Sequence, residues 1–323
     1  MKATVYKSTG SWYTLKDADG NWWNARMKGV IKLDEITSTN PVAVGDIVLM
    51  EPEDKIQHSS TITEILDRRN YINRQSPRAK YQHHIIAANI DQSFLIATLK
   101  EPRTSQGFID RFLVASEMYH VPAVIIFNKA DLHKKKEQEK YEEWKAIYEN
   151  AGYKVLQMSI KEKTGLNEVI QMLKQKTTLI SGHSGVGKTA FINEILPELG
   201  LKTQDVSGWS GKGLHTTTFA EMYDLPSDPD SPDSYRDRDF RDGGKIIDTP
   251  GMREFGLVDL PRQELSHYFP EMRELLVNCQ FNNCLHINEP GCVVKDAVIN
   301  GGIPEDRYIS YVKILDSIEN RSF

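Results

Sequence analysis

Three cysteines are all that the 323 residues hold, and all three fall between Cys279 and Cys292. An odd number in one short stretch argues against a disulfide framework. With His286 among them, it suits a metal site instead. No apolar run approaches the roughly 18 residues that a membrane-spanning helix needs, so no membrane partner is expected. The first residues, Met1-Lys-Ala-Thr-Val-Tyr6, lack the apolar core of a secretion signal. With neither address nor anchor, the expected location is the cytoplasm. Charge of one sign is not in excess either: 40 Lys and Arg against 45 Asp and Glu give a net charge of −5. Bulk charge therefore does not predict nucleic-acid binding, and any such contact must come from local basic patches. The remaining composition, 26% charged and 39% hydrophobic, is that of an ordinary soluble globular chain. Its length leaves room for two or three domains.

What is present centres on Ser181-Gly-His-Ser-Gly-Val-Gly-Lys-Thr189. The stretch fits G-x-x-x-x-G-K-[ST] through Gly182, Gly187, Lys188 and Thr189. Lys176–Ile180 before it reads as a strand, and Ala190–Leu196 after it as a helix stopped by Pro197. In that setting the backbone N–H groups from Ser181 through Gly182, His183, Ser184, Gly185, Val186 and Gly187 can cradle phosphate oxygens. Lys188 reaches the β/γ-phosphates and Thr189 offers a hydroxyl to Mg2+.

Residues 1 to about 70 read as short strands: Thr4–Ser8, Ser11–Lys16, Trp22–Met27, Asp46–Glu51 and Thr61–Leu66. Asp19-Gly20-Asn21 is a hairpin signal. A small OB-type β-barrel is expected, with an SH3-like barrel as the alternative. Trp22 and Trp23 face opposite sides of their strand, so one belongs to the core. Arg68, Arg69, Arg74, Arg78 and Lys80, interleaved with Tyr71 and Tyr81, form the most basic stretch. It reads as a solvated linker or as a contact for RNA phosphates.

From Ile85 the pattern is α/β. Strands are expected at Ser93–Thr98, Val121–Phe127 and Tyr153–Ser159, and helices at Gly107–His120, Lys134–Ala151 and Leu166–Lys176. Such alternation predicts a parallel sheet with ligands beyond the carboxyl ends of its strands. Two of those ends carry motifs. Asn128-Lys129-Ala130-Asp131 follows one; the Asp131 carboxylate can accept the N1–H and N2–H2 edge of guanine, and the Asn128 amide can reach the N7 side. Adenine lacks that donor pair, so the site can discriminate steeply. Ser159-Ile-Lys161 ends the next strand, where a backbone N–H can meet guanine O6. Later, Gly211–Thr218 holds three consecutive threonines suited to Mg2+ and the γ-phosphate. Gly244–Gly251 then gives a strand ending in Asp248, for the Mg2+ shell, and Gly251, a γ-phosphate sensor.

Met252 stands after Gly251, where a water-orienting glutamine is usual, and a thioether cannot do that work. Slow intrinsic hydrolysis is expected, with the water-orienting group supplied by the threonine loop, where His215 is the candidate in cis, or by a partner; a structural or RNA-contacting role for His215 is the alternative. Toward the C-terminus, Leu260–Val277 reads as helical with a break at Pro270, and an amphipathic helix starts at Pro304. Between them Cys279, Cys284, His286 and Cys292 can complete a closed tetrahedral Zn2+ shell, hence a structural site.

These motifs together identify a GTPase. Their order is unusual: Asn128–Asp131 precede the phosphate loop and Asp248–Gly251 come last, a circular permutation of the Ras-like order. With the strand-rich N-terminal part and the cysteine cluster, the chain resembles the bacterial ribosome small subunit-dependent GTPase A (RsgA) family along nearly its whole length. The most specific matches are Ala87-Ala-Asn-Ile-Asp91, Ser184–Lys188, His215–Thr218, Asp248–Gly251 and Glu289-Pro-Gly-Cys292. The resemblance implies an OB-fold domain (1–72), a circularly permuted α/β P-loop GTPase domain (73–258) and a C-terminal α-helical zinc-binding domain (259–323). It implies GTP hydrolysis stimulated by the 30S ribosomal subunit and contact with its 16S rRNA. A role in late maturation of that subunit and a monomeric chain are also expected. It singles out Thr217 as the second Mg2+ hydroxyl. The polar insertion Ser227–Asp242, with six Asp and three Arg, departs from the family pattern. Two rival readings are an RNA-binding module whose occupancy GTP controls and a P-loop kinase or ATPase. The second leaves Asn128–Asp131 without a role.

Overall fold

Alternating apolar and polar residues set the first five strands, β1 (Lys2–Ser8), β2 (Tyr13–Asp17), β3 (Trp22–Met27), β4 (Ile47–Asp54) and β5 (Ser59–Ile65). In the computed structural model, which describes residues 1–28, 41–75, 83–202, 219–226, 243–249, 257 and 260–319, they close into a barrel. The pairing runs β1-β2-β3-β5-β4 and returns from β4 to β1, with β3 and β5 parallel. This is the OB-type closure, and it leaves no long unpaired edge. Val5, Leu15, Ala25, Val48, Met50 and Ile62 fill it. Trp23 belongs to that core at 5% exposure, and Trp22 on the other face is 48% exposed.

A second sheet carries β8 (Gln92–Ala97), β9 (Ala123–Phe127), β10 (Lys154–Gln157), β11 (Thr177–Ser181), β12 (Glu221–Asp224) and β13 (Lys245–Asp248) in the order β10-β9-β8-β11-β13-β12. Five of these strands are parallel; β12, not expected from the sequence, runs antiparallel to β13. The period of two sorts residues between the faces. Leu95 and Ala97 face helices α1 (Gln106–Met118) and α2 (Lys135–Asn150). Phe94 and Ile96 face α3 (Leu166–Gln171) and α4 (Lys188–Ile195). The third helix is shorter than the pattern implies: it ends at Gln171, and further on Gln175 takes φ 55° with its N–H on the Gly243 carbonyl at 2.9 Å.

Barrel and sheet meet at two places. One is edge pairing of β12 with β1 at Lys7 and Glu221, which makes a continuous eleven-stranded sheet. The other is built by Ala87-Ala-Asn-Ile-Asp91. The Asn89 side chain accepts from the Arg69 N–H (2.9 Å) and donates to the Gly45 carbonyl (2.9 Å). Asp91 accepts from the Thr177 N–H at 2.7 Å, at the start of the phosphate-loop strand. Gly45 must be glycine here, since a Cβ would stand 2.1 Å from the Ala88 carbonyl oxygen.

One end of the basic stretch turns inward at Arg68, while Arg69 beside it stays exposed and pairs with Asp91 at 2.6 Å. The Arg68 side chain is 8% exposed and forked onto the buried Asp46, with Nε and Nη2 each 2.6 Å from a carboxylate oxygen. Tyr71 opens a hairpin of β6 (Tyr71–Gln75) and β7 (His83–Ala88), and its ring meets Tyr119 at 5.0 Å. The boundary expected at residue 72 falls inside β6. Arg78, Lys80 and Tyr81 lie outside the described residues.

The C-terminal part is made of short turns. Leu260–Val277 resolves into a 3-10 stretch, Arg262–Tyr268, and the four-residue α5 (Pro270–Arg273). A further 3-10 turn spans Leu276–Asn278. Helices α6 (Val293–Ile299) and α7 (Glu305–Glu319) follow. Phe269, Met272, Tyr311, Ile314 and Leu315 join the same apolar cluster as the α1 face of the sheet, so this part docks on α1.

Candidate nucleotide site and metal centre

Strand β11 delivers the glycine-rich loop to the N-terminus of α4, beyond the carboxyl ends of β8, β9 and β13. Two glycines are sterically required. A Cβ on Gly182 would lie 2.4 Å from the Ile96 carbonyl oxygen, and one on Gly187 would lie 2.3 Å from Asn128 Nδ2. Lys188 is 8% exposed and donates from Nζ to the carbonyls of Gly182 (2.8 Å) and His183 (3.0 Å). Burial pushes its ammonium down to about 8, opposed by the charge of Asp248. A desolvated cation of this kind gains strongly from an anionic partner.

The segment Asn128–Asp131 is joined to this loop. Asn128 follows β9 and donates from Nδ2 to the Val186 carbonyl at 2.8 Å. Its Oδ1 is buried without a hydrogen-bond partner among the described residues, as in a site completed by a bound group. Lys129 takes the left-handed conformation (φ 64°), and Ala130 N–H donates to the Met158 carbonyl at 3.1 Å. The Ser159 hydroxyl donates to Asp131 Oδ1 at 2.6 Å. The Ser159 N–H goes to the Thr164 carbonyl at 2.9 Å, so Ser159 serves the motif by holding Asp131.

Asp248 ends β13 in register with Ile180, and it is buried. Thr249 beside it donates to the Ile180 carbonyl at 2.9 Å. The loop, Asn128–Asp131, Ser159 and Asp248 are thus brought together. Thr189 follows Lys188 in the first turn of α4. His215, Thr217, Gly251, Met252 and the insertion 227–242 lie outside the described residues. The segment between β8 and α1 was not anticipated. Its Glu101 carbonyl accepts from Lys129 Nζ, and its Thr104 hydroxyl meets His183 Nε2 at 2.7 Å. No motif in the sequence marks that segment as part of the site.

The second centre gathers Cys279, Cys284, His286 and Cys292, whose ligand atoms all lie within 4.8 Å of one another. His286 Nδ1 is 3.3 Å from Cys292 Sγ and 3.7 Å from Cys279 Sγ. Burial pushes the Cys284 thiol up to about 12, raises Cys292 and lowers His286. Two buried thiols and the half-buried Cys279 converging on an imidazole, without a disulfide, fit a cation that deprotonates them. Glu289 shapes the loop by accepting from the N–H groups of Leu285 (2.8 Å), Ile287 (2.9 Å) and Asn288 (3.1 Å). Tyr308 and Tyr311 tie it to α7 through the carbonyls of His286 (2.6 Å) and Leu285 (2.9 Å).

Comparison with known proteins agrees with this geometry. The RsgA N-terminal domain family matches residues 2–58, and the RsgA GTPase family matches residues 65–258. A Cytophaga hutchinsonii protein named small ribosomal subunit biogenesis GTPase RsgA is 49% identical, over 98% of each chain. A Bacteroides thetaiotaomicron protein, small ribosomal subunit biogenesis GTPase RsgA 2, is 42% identical over 100% of this chain and 99% of its own. The crystal structure of YjeQ from Thermotoga maritima superposes with a TM-score of 0.74 at 32% identity, covering 98% of this chain and 97% of that one. YloQ, described as a circularly permuted GTPase, gives 0.70 at 26% identity over 100% and 96%. With family models matching residues 2–58 and 65–258 and relatives 42% and 49% identical over nearly the whole chain, the chain belongs to the RsgA GTPase family.

Proposed function

We propose that the chain is a GTP-hydrolysing switch that binds the small (30S) ribosomal subunit, acts in its late maturation and is stimulated by it. The observation that carries the reading is the Asn128 Nδ2 bond to the Val186 carbonyl, which couples base recognition to the phosphate loop. In this reading Asp131, held by Ser159, accepts the guanine edge. Lys188 and the loop N–H groups take the β/γ-phosphates. Thr189 and Thr217 supply hydroxyls to the Mg2+ that accompanies GTP, with Asp248 behind them and Gly251 at the γ-phosphate. Bound Mg2+ would offset charge on the phosphates. His215 is the group we assign to orient the attacking water.

Zn2+ is the metal we assign to Cys279, Cys284, His286 and Cys292. Four protein ligands leave no open position, so its role is structural. Three units carry these tasks: a barrel (1–72), a GTPase unit (73–258) and a metal unit (259–323), joined across the first boundary by the β6–β7 hairpin. Contact with 16S rRNA is supported by the barrel's exposed Trp12, which carries the Arg26 guanidinium 3.9 Å from its ring centroid. We assign a monomer acting in the cytoplasm; no helix among the described residues is long and apolar enough to cross a membrane.

GTP turnover with and without purified 30S subunits tests the reading. Acceleration of at least about tenfold is expected, with no turnover of ATP. Equal rates would instead favour a GTP-controlled RNA-binding module.

A further inference from the structure

We propose that Thr104 is a positioning residue of the nucleotide site, acting on the phosphate loop through His183. This rests on the reading of Gly182–Thr189 as the phosphate loop. Thr104 is fully buried, and its hydroxyl oxygen accepts from the Thr98 N–H at 2.9 Å. Its own hydrogen then goes to His183 Nε2 at 2.7 Å. The other ring nitrogen, Nδ1, is 3.1 Å from the Ser184 carbonyl, which can only accept. The two partners together specify a neutral His183 carrying its proton on Nδ1. An imidazolium would have to donate from Nε2 as well, and the buried Thr104 hydroxyl would lose its acceptor. The ring also stands edge-on to Phe108 at 5.5 Å. Its position is therefore fixed from three sides.

His183 matters to the chemistry through its main chain. Its carbonyl is one of the two that hold Lys188 Nζ, at 3.0 Å. A ring that shifts carries that carbonyl with it, and the ammonium loses the placement that phosphate recognition needs. The segment holding Thr104 also gives its Glu101 carbonyl to Lys129 Nζ. It thus fixes the phosphate loop and the guanine motif at once. Ser105, the next residue, caps α1 by accepting from the Phe108 N–H at 3.3 Å, so the segment is anchored to a helix.

The test measures binding of a fluorescent GTP analogue and GTP turnover in Thr104→Val and Thr104→Ser, each alone and combined with His183→Ala. Thr104→Val is expected to weaken binding about five- to tenfold, a lost hydrogen bond to a buried group. Thr104→Ser should stay within about twofold of the unmodified chain, because the hydroxyl is retained. In the His183→Ala background Thr104→Val should add no further loss, as for two groups acting through one contact. Unchanged binding in Thr104→Val would overturn the proposal, and so would a full additional loss in the double variant. Side-chain nitrogen NMR of the unmodified protein gives a readout independent of variant folding. A neutral His183 with Nδ1–H is expected, and Nε2–H would overturn the assignment. Failure of the unmodified chain to bind the analogue would remove the reading of the loop itself, and the proposal with it.

Discussion

On the proposed reading Asp131 accepts the guanine edge, and its carboxylate is held by the Ser159 hydroxyl at 2.6 Å. That Asn128–Asp131 lie against the glycine-rich loop was legible, because the motif follows a strand of the same sheet. Its support was not, because Ser159 stands 28 positions away and only the β9–β10 pairing brings it alongside. Asp131→Asn exchanges an acceptor for a donor toward the base. We expect it to lose GTP affinity by at least about 100-fold and to gain preference for xanthosine triphosphate. Competition binding with the two nucleotides decides; unaltered GTP affinity would take Asp131 out of the site. Arg68 illustrates the opposite failure. Its charge suggested an outward contact, but the compensating Asp46 lies 22 residues earlier, and the two side chains are 8% and 0% exposed. A one-dimensional pattern shows charges without showing which are already paired.

At the level of elements, the strands with strong apolar alternation were readable, whereas β12 was not. Glu221-Met-Tyr-Asp224 has four residues and little periodicity, and it becomes a strand because β13 and β1 offer it edges. It also forms the seam to the barrel. Asp224 accepts from the Tyr6 hydroxyl (2.6 Å), Lys16 (2.6 Å) and Lys245 (2.8 Å), and Lys7 pairs with Glu221 at 2.9 Å. Burial raises the Asp224 carboxyl, but Lys16, Lys245 and Tyr6 outweigh it and leave it below its ordinary 3.8. A carboxylate depressed in the folded state contributes stability above its unfolded value, and that stability is lost as pH falls through the lower folded value. The seam should therefore hold at neutral pH and loosen only in acid below about 4. Asp224→Asn should loosen it at pH 7, costing about 1.5–3 kcal/mol through weakened charge-assisted bonds. Faster hydrogen exchange in β1 and β12, with β3 and β5 unchanged, is the expected signature. Uniform exchange in variant and parent would show that the ionic seam does not hold the barrel.

Across the whole molecule, α1 is the element through which the metal unit is attached. Asp110 meets Arg307 Nη1 at 2.5 Å, Arg111 donates to Ser317 Oγ at 2.9 Å, and Glu117 pairs with Arg273 at 3.1 Å. Arg307 is 1% exposed and is held again by Glu271 at 2.6 Å. A buried pair of this kind tolerates separation poorly, since each partner left alone is an uncompensated charge in a dry site. The metal ligands sit on turns and one helix start, with little regular structure of their own. On the proposed reading their geometry depends on a bound Zn2+, whose binding free energy would be folding free energy for the unit, on the order of 10 kcal/mol in isolated zinc modules. Removing it with a zinc-selective chelator should first raise hydrogen exchange in residues 279–292 and in α7. The α1 face should follow, because Tyr308 and Tyr311 lose their carbonyl partners and α7 carries Arg307 away from Asp110. The barrel, joined through β12 and the Asn89 contacts, should keep its protection. Exchange in residues 279–292 that is the same with and without chelator would refute a structural metal. Loss there with α1 fully protected would show instead that the Asp110–Arg307 clamp holds without the ion.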